Sequence, residues 1–194
     1  MELSLNLTNT HVLVTGGAGF IGSVVVTSFL TAGVKLTCLD IRTPNPLPES
    51  PNFQHFPCNI SCESSITSVF SLTVASFGPV ACCVALASLD YSFIPHHESL
   101  ADMSLEQWRH TAKINVEGTF LTARTWLRQP RDHAANLKEG GERMKNVGLI
   151  IVGSEAARFG AKGNADYSAG KSAVQGGLVV SLIDDIVRIW PGAR

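Results

Sequence analysis

One stretch near the start of the chain sets the architecture: His11-Val12-Leu13-Val14-Thr15-Gly16-Gly17-Ala18-Gly19-Phe20-Ile21-Gly22. An apolar run is followed by a glycine-rich turn and then by a sequence that is compatible with a helix. Glycines allow the backbone a positive φ and a close approach to a pyrophosphate, whose charge is met by free N–H groups and the positive end of the helix dipole. The stretch predicts a strand, a turn that fits a dinucleotide phosphate and a helix start, with a plain structural turn as the alternative.

An acidic residue lies at the separation from this turn that dinucleotide sites use. Asp40 ends the apolar run Leu36-Thr37-Cys38-Leu39, which predicts a second strand. A carboxylate at this strand end can hold the adenosine ribose hydroxyls and would repel a 2′-phosphate, so NAD is favoured over NADP. Arg42 could receive that phosphate, which leaves NADP open. The alternative for Asp40 is a solvated acid at the end of a strand.

A second constellation lies towards the other end of the chain. Tyr167 and Lys171 are four residues apart in Tyr-Ser-Ala-Gly-Lys, and Ser154 lies thirteen residues upstream. One helical turn would put the tyrosine and the lysine on one face. A nearby ammonium favours the phenolate form of a tyrosine, so the pair could exchange protons with a carbonyl or an alcohol.

Two further polar residues are candidates for the same site. Ser154 directly follows a predicted strand, where its hydroxyl could bind the reacting oxygen; a serine nucleophile and a simple turn cap are the alternatives. Asn115 lies inside a predicted helix, where asparagine is mildly unfavourable. A polar residue that carries this cost suggests a role, and the alternative is an asparagine on a solvated helix face.

Predicted strands and helices alternate along the chain, as in an α/β fold with a parallel sheet covered by helices on both faces. The chain is predicted to form a single domain over residues 1–194. The proline-rich segment 43–51 is predicted to be a loop, and the charged stretch 128–143 an exposed insertion. Strands are predicted near residues 11–15, 35–39, 53–57, 80–86 and 148–152, and helices near 20–32, 63–77, 104–128 and 165–189.

Composition limits the partners. The chain has 194 residues, 45% of them hydrophobic, and a net charge of −1, which favours neither nucleic acid nor an anionic membrane as a partner. Its start lacks the regions of a secretory signal and no apolar run approaches the about 20 residues of a membrane span, so a cytoplasmic location is expected. Five cysteines without paired spacing predict neither disulfides nor zinc ligation by Cys58 and Cys62, and His96-His97-Glu98 is predicted to be a solvated loop.

Together these motifs resemble the short-chain dehydrogenase/reductase family over nearly the whole chain. The spacing Thr-Gly-x-x-Gly-x-x-Gly and the segment Ala85-Leu86-Ala87-Ser88 resemble its extended, sugar-nucleotide-modifying branch, since the shorter branch usually has glycine at position 20 and Asn-Asn-Ala-Gly after strand four. The catalytic residues that the resemblance implies are Asn115, Ser154, Tyr167 and Lys171. The cofactor-binding residues that it implies are Thr15, Gly16, Gly19, Ile21, Gly22, Asp40, Asn59, Ile60, Ala87, Tyr167 and Lys171.

The resemblance implies a Rossmann-like, doubly wound sheet and an oxidoreductase that moves hydride between a nicotinamide cofactor and a carbonyl or secondary alcohol. Tyr167 would be the general acid or base, Ser154 would hold the oxygen, and Lys171 would bind ribose hydroxyls. Asn115 would hold a water linked to Lys171 through its carbonyl or its side chain. The alternatives are an NAD-using lyase or epimerase, and a shortened, non-catalytic dinucleotide-binding or interaction protein.

Two architectural expectations also follow from the resemblance. The two long predicted helices, 104–128 and 165–189, form the dimer interface in this family, so a homo-oligomer is expected. The family has further strands after the last predicted helix. The sheet is therefore expected to lack those strands and to leave strand five as an edge that another chain or altered packing covers.

Overall fold

Within residues 6–92, 99–136, 141 and 143–189, which the computed structural model describes, five parallel strands form one sheet in the order β3-β2-β1-β4-β5. The α/β class and the Rossmann-like doubly wound arrangement expected from the sequence are confirmed. The strands are β1 (His11–Thr15), β2 (Lys35–Asp40), β3 (Phe53–Pro57), β4 (Cys82–Ala85) and β5 (Gly148–Ile151).

Helices connect these strands, and two π-helical turns, Lys113–Gly118 and Ala173–Leu178, join four of the helices into two long continuous ones, α3 to α4 and α6 to α7. The sequence predicted both long helices but neither π turn nor the short α5. A 3₁₀ turn covers Leu100–Asp102. The helices are α1 (Phe20–Thr31), α2 (Glu63–Phe77), α3 (Leu105–Ala112), α4 (Thr119–Ala135), α5 (Ala156–Phe159), α6 (Ala165–Ser172) and α7 (Val179–Ile189).

The core has two halves, one on each face of the sheet. Successive side chains of a strand point to opposite faces, and β1 is buried throughout. Val12 and Val14 pack in one cluster with Val26 of α1. Leu13 packs in the other cluster with Trp126 of α4. Burial on both faces explains why β1 reads as a continuous apolar run, as central strands of parallel sheets do.

The helix that was predicted to end at residue 128 continues to Ala135, and Pro130 lies inside it. The expectation of an insertion after the helix is therefore wrong for residues 128–135, which are helical, although most of these residues are exposed as expected. Proline in a helix interior costs roughly 3 kcal/mol, but Pro130 and Trp126 are four residues apart and both are buried. Their packing against the core offsets that cost. Residues 137–140 and 142 of the predicted insertion lie outside the described ranges.

The order of the strands determines where a site can form. The chain runs from β1 outward to β3 and then crosses back to β4 on the other side of β1. In open parallel sheets, ligands bind at the carboxyl ends of the strands where the order reverses in this way. That crevice lies here between the ends of β1 and β4, at Thr15 and Ala85.

None of the helices described here combines the length and the apolar character that crossing a bilayer requires.

Candidate active site

The glycine turn after β1 lies against the loop after β4. Thr15 is buried, and its hydroxyl oxygen accepts hydrogen bonds from the backbone N–H groups of Leu86 and Ala87, each at 3.2 Å. Gly16 has a φ of 74°, and a Cβ on it would lie 2.7 Å from the Ala87 Cα. Three of the predicted cofactor-binding residues, Thr15, Gly16 and Ala87, are thus brought together at the crevice.

The turn is closed so tightly that side chains do not fit in it. A Cβ on Gly22 would lie 2.0 Å from the carbonyl oxygen of Gly16. Gly19 precedes α1, and no side chain caps the first turn of that helix. The first N–H groups of a helix lack partners within it, and the helix dipole adds positive potential there. The turn and helix start together fit the phosphates of a dinucleotide.

Asp40 faces this turn from the end of β2. The residue is 7% exposed; its Oδ2 accepts from Ala18 N at 3.0 Å and its Oδ1 from Arg42 N at 2.9 Å. Each carboxylate oxygen has a further lone pair for a ribose hydroxyl. The Arg42 guanidinium lies nearby, with its Nε 3.8 Å from Oδ1. Asp40 is therefore attached to the glycine turn and is not a freely solvated acid.

The other predicted cofactor-binding residues differ in their exposure. Ile21 is exposed at the start of α1. Asn59 is exposed after β3, where its side-chain oxygen accepts from the N–H and hydroxyl of Ser61. Ile60 is buried in the core, and a Cβ on Gly118 would lie 2.7 Å from its Cδ1. The side chain of Ile60 thus packs inside the protein, unlike Asn59 and Ile21.

Asn115 lies in the first π turn and is 2% exposed. Its Oδ1 accepts from Leu89 N at 2.7 Å and from the Ser88 hydroxyl at 3.1 Å, while its Nδ2 donates to Leu89 O at 2.8 Å. The side chain therefore braces the loop after β4. Of the two groups considered for the water relay, the side chain is engaged by this loop, and the backbone carbonyl accepts a hydrogen bond from the Thr119 hydroxyl.

Tyr167 and Lys171 lie on one face of α6, as their spacing predicted. The Lys171 Nζ is 5.7 Å from the centroid of the Tyr167 ring. Lys171 is 6% exposed, and its Nζ donates to the carbonyl of Val152, just after β5, at 2.8 Å. Burial lowers the pKa of Lys171, and the negative charge of Asp90, in the loop after β4, acts in the opposite direction.

Ser154 follows β5 and lies in the same region. Its hydroxyl oxygen accepts from Ala156 N at 3.2 Å, and its own N–H donates to Gln175 Oε1 at 2.6 Å. The hydroxyl thus closes the turn before α5, in agreement with the turn cap that was one alternative for this residue. Its hydrogen is not used by that contact, because the oxygen is the acceptor, so Ser154 can still donate to a reacting oxygen.

The thiols differ sharply in exposure. The cysteine side chains are unpaired, and Cys62 is exposed whereas Cys38, Cys58 and Cys83 are buried. A hydrogen bond with the Ser64 hydroxyl lowers the pKa of Cys62, and backbone N–H groups at the start of α2 act in the same direction. In the part of the chain that the structure describes, no three His, Cys, Asp or Glu side chains gather as metal ligands; His96, His97 and Glu98 lie outside it.

Some residues of the site were not predicted. Gly17 is one: a Cβ on it would lie 2.6 Å from Cys38 Sγ, a contact between β2 and the turn that no local pattern reveals. Asp90 and Asp166 are also missed, because their roles depend on contacts with distant parts of the chain. Gln175 carries a signal that was overlooked, since it continues the four-residue interval of Tyr167 and Lys171.

The family model described as short chain dehydrogenase matches residues 10–187. The chain is similar to 2,5-dichloro-2,5-cyclohexadiene-1,4-diol dehydrogenase of Sphingobium indicum, with 25% identity over 92% of this chain and 68% of the relative. It is also similar to the NADP-dependent (R)-specific alcohol dehydrogenase of Lentilactobacillus kefiri, with 27% identity over 84% of this chain and 61% of the relative. The chain thus spans about two thirds of the length of these relatives.

Solved structures share the fold. A 3-ketoacyl-(acyl-carrier-protein) reductase from Brucella melitensis, solved with NADH, superposes with a TM-score of 0.79 and 20% identity over 94% of this chain and 72% of that chain. The aldohexose dehydrogenase of Thermoplasma acidophilum superposes with a TM-score of 0.76 and 20% identity. At these identities the likeness concerns the fold alone.

The matched family and the dehydrogenase relatives confirm the expectation of a nicotinamide-dependent oxidoreduction of alcohols or carbonyls, and they do not favour a lyase or epimerase. The chain belongs to the short-chain dehydrogenase family.

Proposed function

We propose that the chain uses NAD to interconvert a small carbonyl compound and a secondary alcohol, with Tyr167 exchanging the proton. The observation that carries the proposal is the placement of the Lys171 ammonium 5.7 Å from the Tyr167 ring, on one face of α6. The same ammonium is attached to the end of β5 through Val152. The pair therefore lies at the carboxyl edge of the sheet, the side on which the glycine turn also lies.

The residues that would hold the cofactor are those of the crevice. The glycine turn and the start of α1 would bind its phosphates, and Asp40 would bind the adenosine ribose hydroxyls. NAD is preferred because the Asp40 carboxylate, already directed at the turn by Ala18 N, would repel a 2′-phosphate. Arg42 contacts that carboxylate and does not offset its charge fully, since the guanidinium lies mostly in solvent.

Side chains of the protein would transfer the proton and bind the reacting oxygen. The Tyr167 hydroxyl would donate its proton to the carbonyl oxygen during reduction, and the Ser154 hydroxyl would donate a hydrogen bond to that oxygen. The Lys171 cation would stabilise the negative charge that develops on the Tyr167 oxygen. The nicotinamide ring, when bound, supplies or accepts the hydride. The Asn115 carbonyl would hold a water linked to Lys171, which would complete a proton relay between Tyr167 and solvent.

The test uses purified protein, NADH or NADPH, and a panel of small ketones and aldehydes. Tyr167→Phe removes only the hydroxyl, so we expect turnover to fall by at least about a hundredfold while the affinity for the cofactor, measured by tryptophan fluorescence, is kept. Tyr91→Phe is the matched control, because it removes the hydroxyl of the other tyrosine of the chain. Equal rates for the wild type and Tyr167→Phe would reject the assignment. Cofactor binding without turnover in the wild type would favour the non-catalytic alternative.

We also propose a homo-oligomer that uses the face of the long helix formed by α3 and α4. A surface groove of about 630 Å³ runs along this face, and Trp108 and Phe120 are 38% and 41% exposed there. Apolar side chains rimmed by charges are typical of protein interfaces. The groove is lined by Trp108, Arg109, Ala112, Lys113, Val116, Glu117 and Phe120. Sedimentation of the wild type and of Trp108→Glu tests this proposal, and a monomeric wild type would contradict it.

The cysteines, all of which lie in the described ranges, form no disulfides, which favours a reducing compartment, and we propose the cytoplasm.

A further inference from the structure

A row of polar residues follows the long helix that runs from α3 through the first π turn into α4. The residues lie at four-residue intervals, which keeps their side chains near one face of the helix. The first three contact α6, two through hydrogen bonds to Asp166 and the third by packing against Gly170. The row consists of Gln107, Thr111, Asn115 and Thr119.

Asp166 is the centre of these contacts. It is 4% exposed, and its Oδ2 accepts from the Thr111 hydroxyl at 2.7 Å and from Gln107 Nε2 at 3.2 Å. Its Oδ1 accepts from Tyr167 N at 2.8 Å. A buried carboxylate is stable only where hydrogen bonds replace its water, and three donors do so here. One side chain thus connects α3 to the backbone of Tyr167.

The same carboxylate replaces the usual cap of α6. Asn164 precedes the helix, but its side chain makes no capping hydrogen bond, and its buried Oδ1 has no partner. The Tyr167 N–H is one of the first-turn donors that a cap normally satisfies. Asp166 accepts that hydrogen bond from within the first turn, where a negative charge also interacts favourably with the helix dipole. The start of α6 is therefore held by α3.

The contacts of α6 with α3 fix its rotation. Asp166 and Gly170 are the residues that touch the polar row, and a Cβ on Gly170 would lie 3.3 Å from the Asn115 Cβ. Tyr167 and Lys171 each follow one of these contact residues. Successive residues of a helix are about 100° apart, so the face with Tyr167 and Lys171 keeps a constant angle to the face with Asp166 and Gly170. A helix docked through Asp166 and Gly170 therefore holds Tyr167 and Lys171 at a fixed orientation relative to α3.

We propose that Asp166 is a positioning residue: its bridge between Thr111 and the Tyr167 backbone sets the rotation of α6 and so aims the Tyr167 hydroxyl at the substrate. The inference rests on the proposed function, since it concerns the same site. Asp166 touches neither substrate nor cofactor in this role. It acts on the rate through the geometry of Tyr167.

Four variants separate this role from general stability. Asp166→Ala removes all three contacts. Asp166→Asn can keep them, because its oxygen can accept from Tyr167 N–H while its amide donates to the Thr111 hydroxyl and to a flipped Gln107 amide. Thr111→Val removes one donor and leaves Asp166 in place. Thr122→Val is the matched control: Thr122 is as fully buried as Thr111, but its hydroxyl bonds to Gly118 O.

The kinetic outcomes are specific. For Asp166→Ala we expect kcat to fall by roughly tenfold to a hundredfold with KM for the cofactor unchanged, because a misplacement of about 1 Å can cost that much. Asp166→Asn restores most of the rate, Thr111→Val is intermediate, and Thr122→Val matches the wild type. An unchanged kcat for Asp166→Ala, or an equal loss in Thr122→Val, would overturn the proposal.

A second measurement does not depend on turnover. Amide hydrogen exchange at Tyr167 reports the hydrogen bond to Asp166 Oδ1 directly. Faster exchange there in Asp166→Ala, but not in Thr122→Val, supports the bridge, and unchanged exchange contradicts it. If the wild type turns over no carbonyl compound while the exchange result is positive, the proposed function fails and the bridge stands.

Discussion

At the scale of single residues, the site depends on a buried cation. Lys171 is 6% exposed, and burying a charge is costly unless hydrogen bonds and opposite charges replace its water. Val152 O supplies one acceptor, and Asp90 supplies a partly compensating charge. Burial still lowers the pKa of Lys171, so at neutral pH the Lys171 cation is less favourable in the folded protein than in the unfolded chain.

Lys171→Met tests this cost. The folded pKa of Lys171 lies below its ordinary value of 10.5, so the cost is present in full below that folded pKa and disappears as the pH rises towards 10.5. We therefore expect Lys171→Met to keep or raise the Tm at pH 7 while turnover is lost, a trade of stability for function. A scan of Tm from pH 7 to pH 10 measures it. A Tm well below that of the wild type at pH 7 would contradict this account.

The sequence predicted part of the site at this scale. The four-residue interval of Tyr167 and Lys171 is a local signal, and one helical turn suffices to realise it. Asp90, Asp166 and Gly17 carry no such signal, since each has a partner that is distant in the chain. Only the packed fold brings those partners together.

At the scale of elements, the turn between β1 and α1 is set by close backbone contacts rather than by propensity. Gly22 is helical, and alanine favours helices more than glycine does. The close approach of Gly16 O nevertheless forbids a Cβ at this position. Tertiary packing thus outweighs helix propensity in the element that would bind the phosphates.

Two matched substitutions separate these effects. Gly22→Ala should abolish cofactor binding, because the turn must open to admit a methyl group that would otherwise lie 2.0 Å from Gly16 O. Gly176→Ala, also in a helical segment, meets nothing within 4 Å and should keep binding and stabilise the fold by up to about 1 kcal/mol. Cofactor titration and thermal melts of both variants provide the measurement. Cofactor binding by Gly22→Ala at the wild-type affinity would contradict the role given to the turn.

The limits of sequence-based prediction at this scale lie in helix interiors and ends. The interval patterns predicted both long helices, but a π turn shifts the hydrogen bonds by one residue without a composition signal. The mixed charges from residue 128 suggested an exposed insertion, but α4 continues to Ala135 with Trp126 and Pro130 buried. The strands were predicted to within two residues, because apolar runs and flanking glycines or prolines mark them clearly.

At the scale of the whole molecule, a buried histidine joins three elements on the side of the sheet away from the site. His11 of β1 is 3% exposed; its Nδ1 donates to Gly78 O, after α2, at 2.7 Å. Because that carbonyl can only accept, the Nε2 of the neutral ring accepts from the Thr37 hydroxyl at 2.9 Å. Gln54 Nε2 donates in turn to the Thr37 oxygen. This chain of hydrogen bonds requires a neutral imidazole.

Global stability should therefore depend on pH near neutrality. Burial lowers the pKa of His11 from 6.5, although the Gly78 carbonyl partly opposes the shift. The unfolded chain then binds a proton that the folded protein does not, so stability is full above pH 6.5 and falls as the pH drops from there to the folded pKa. Urea unfolding between pH 5 and 7.5 measures how the free energy of unfolding changes with pH. His11→Gln should be less stable at pH 7 but show a weaker pH dependence, and the exposed control His110→Gln should keep the pH dependence of the wild type. A wild-type pH dependence in His11→Gln would contradict the assignment.

The exposure pattern of the thiols has a practical consequence for following this molecule in solution. Cys62 is exposed with a lowered pKa, while burial raises the pKa of Cys38 to about 12 and that of Cys82 to about 11. A maleimide dye at neutral pH should therefore attach at this single position of the natural chain, which mass spectrometry can verify. Because the N–H of Cys62 bonds to Asn59 O, such a label would sit beside one of the expected cofactor-binding residues and could signal the arrival of the nucleotide without any engineered mutation.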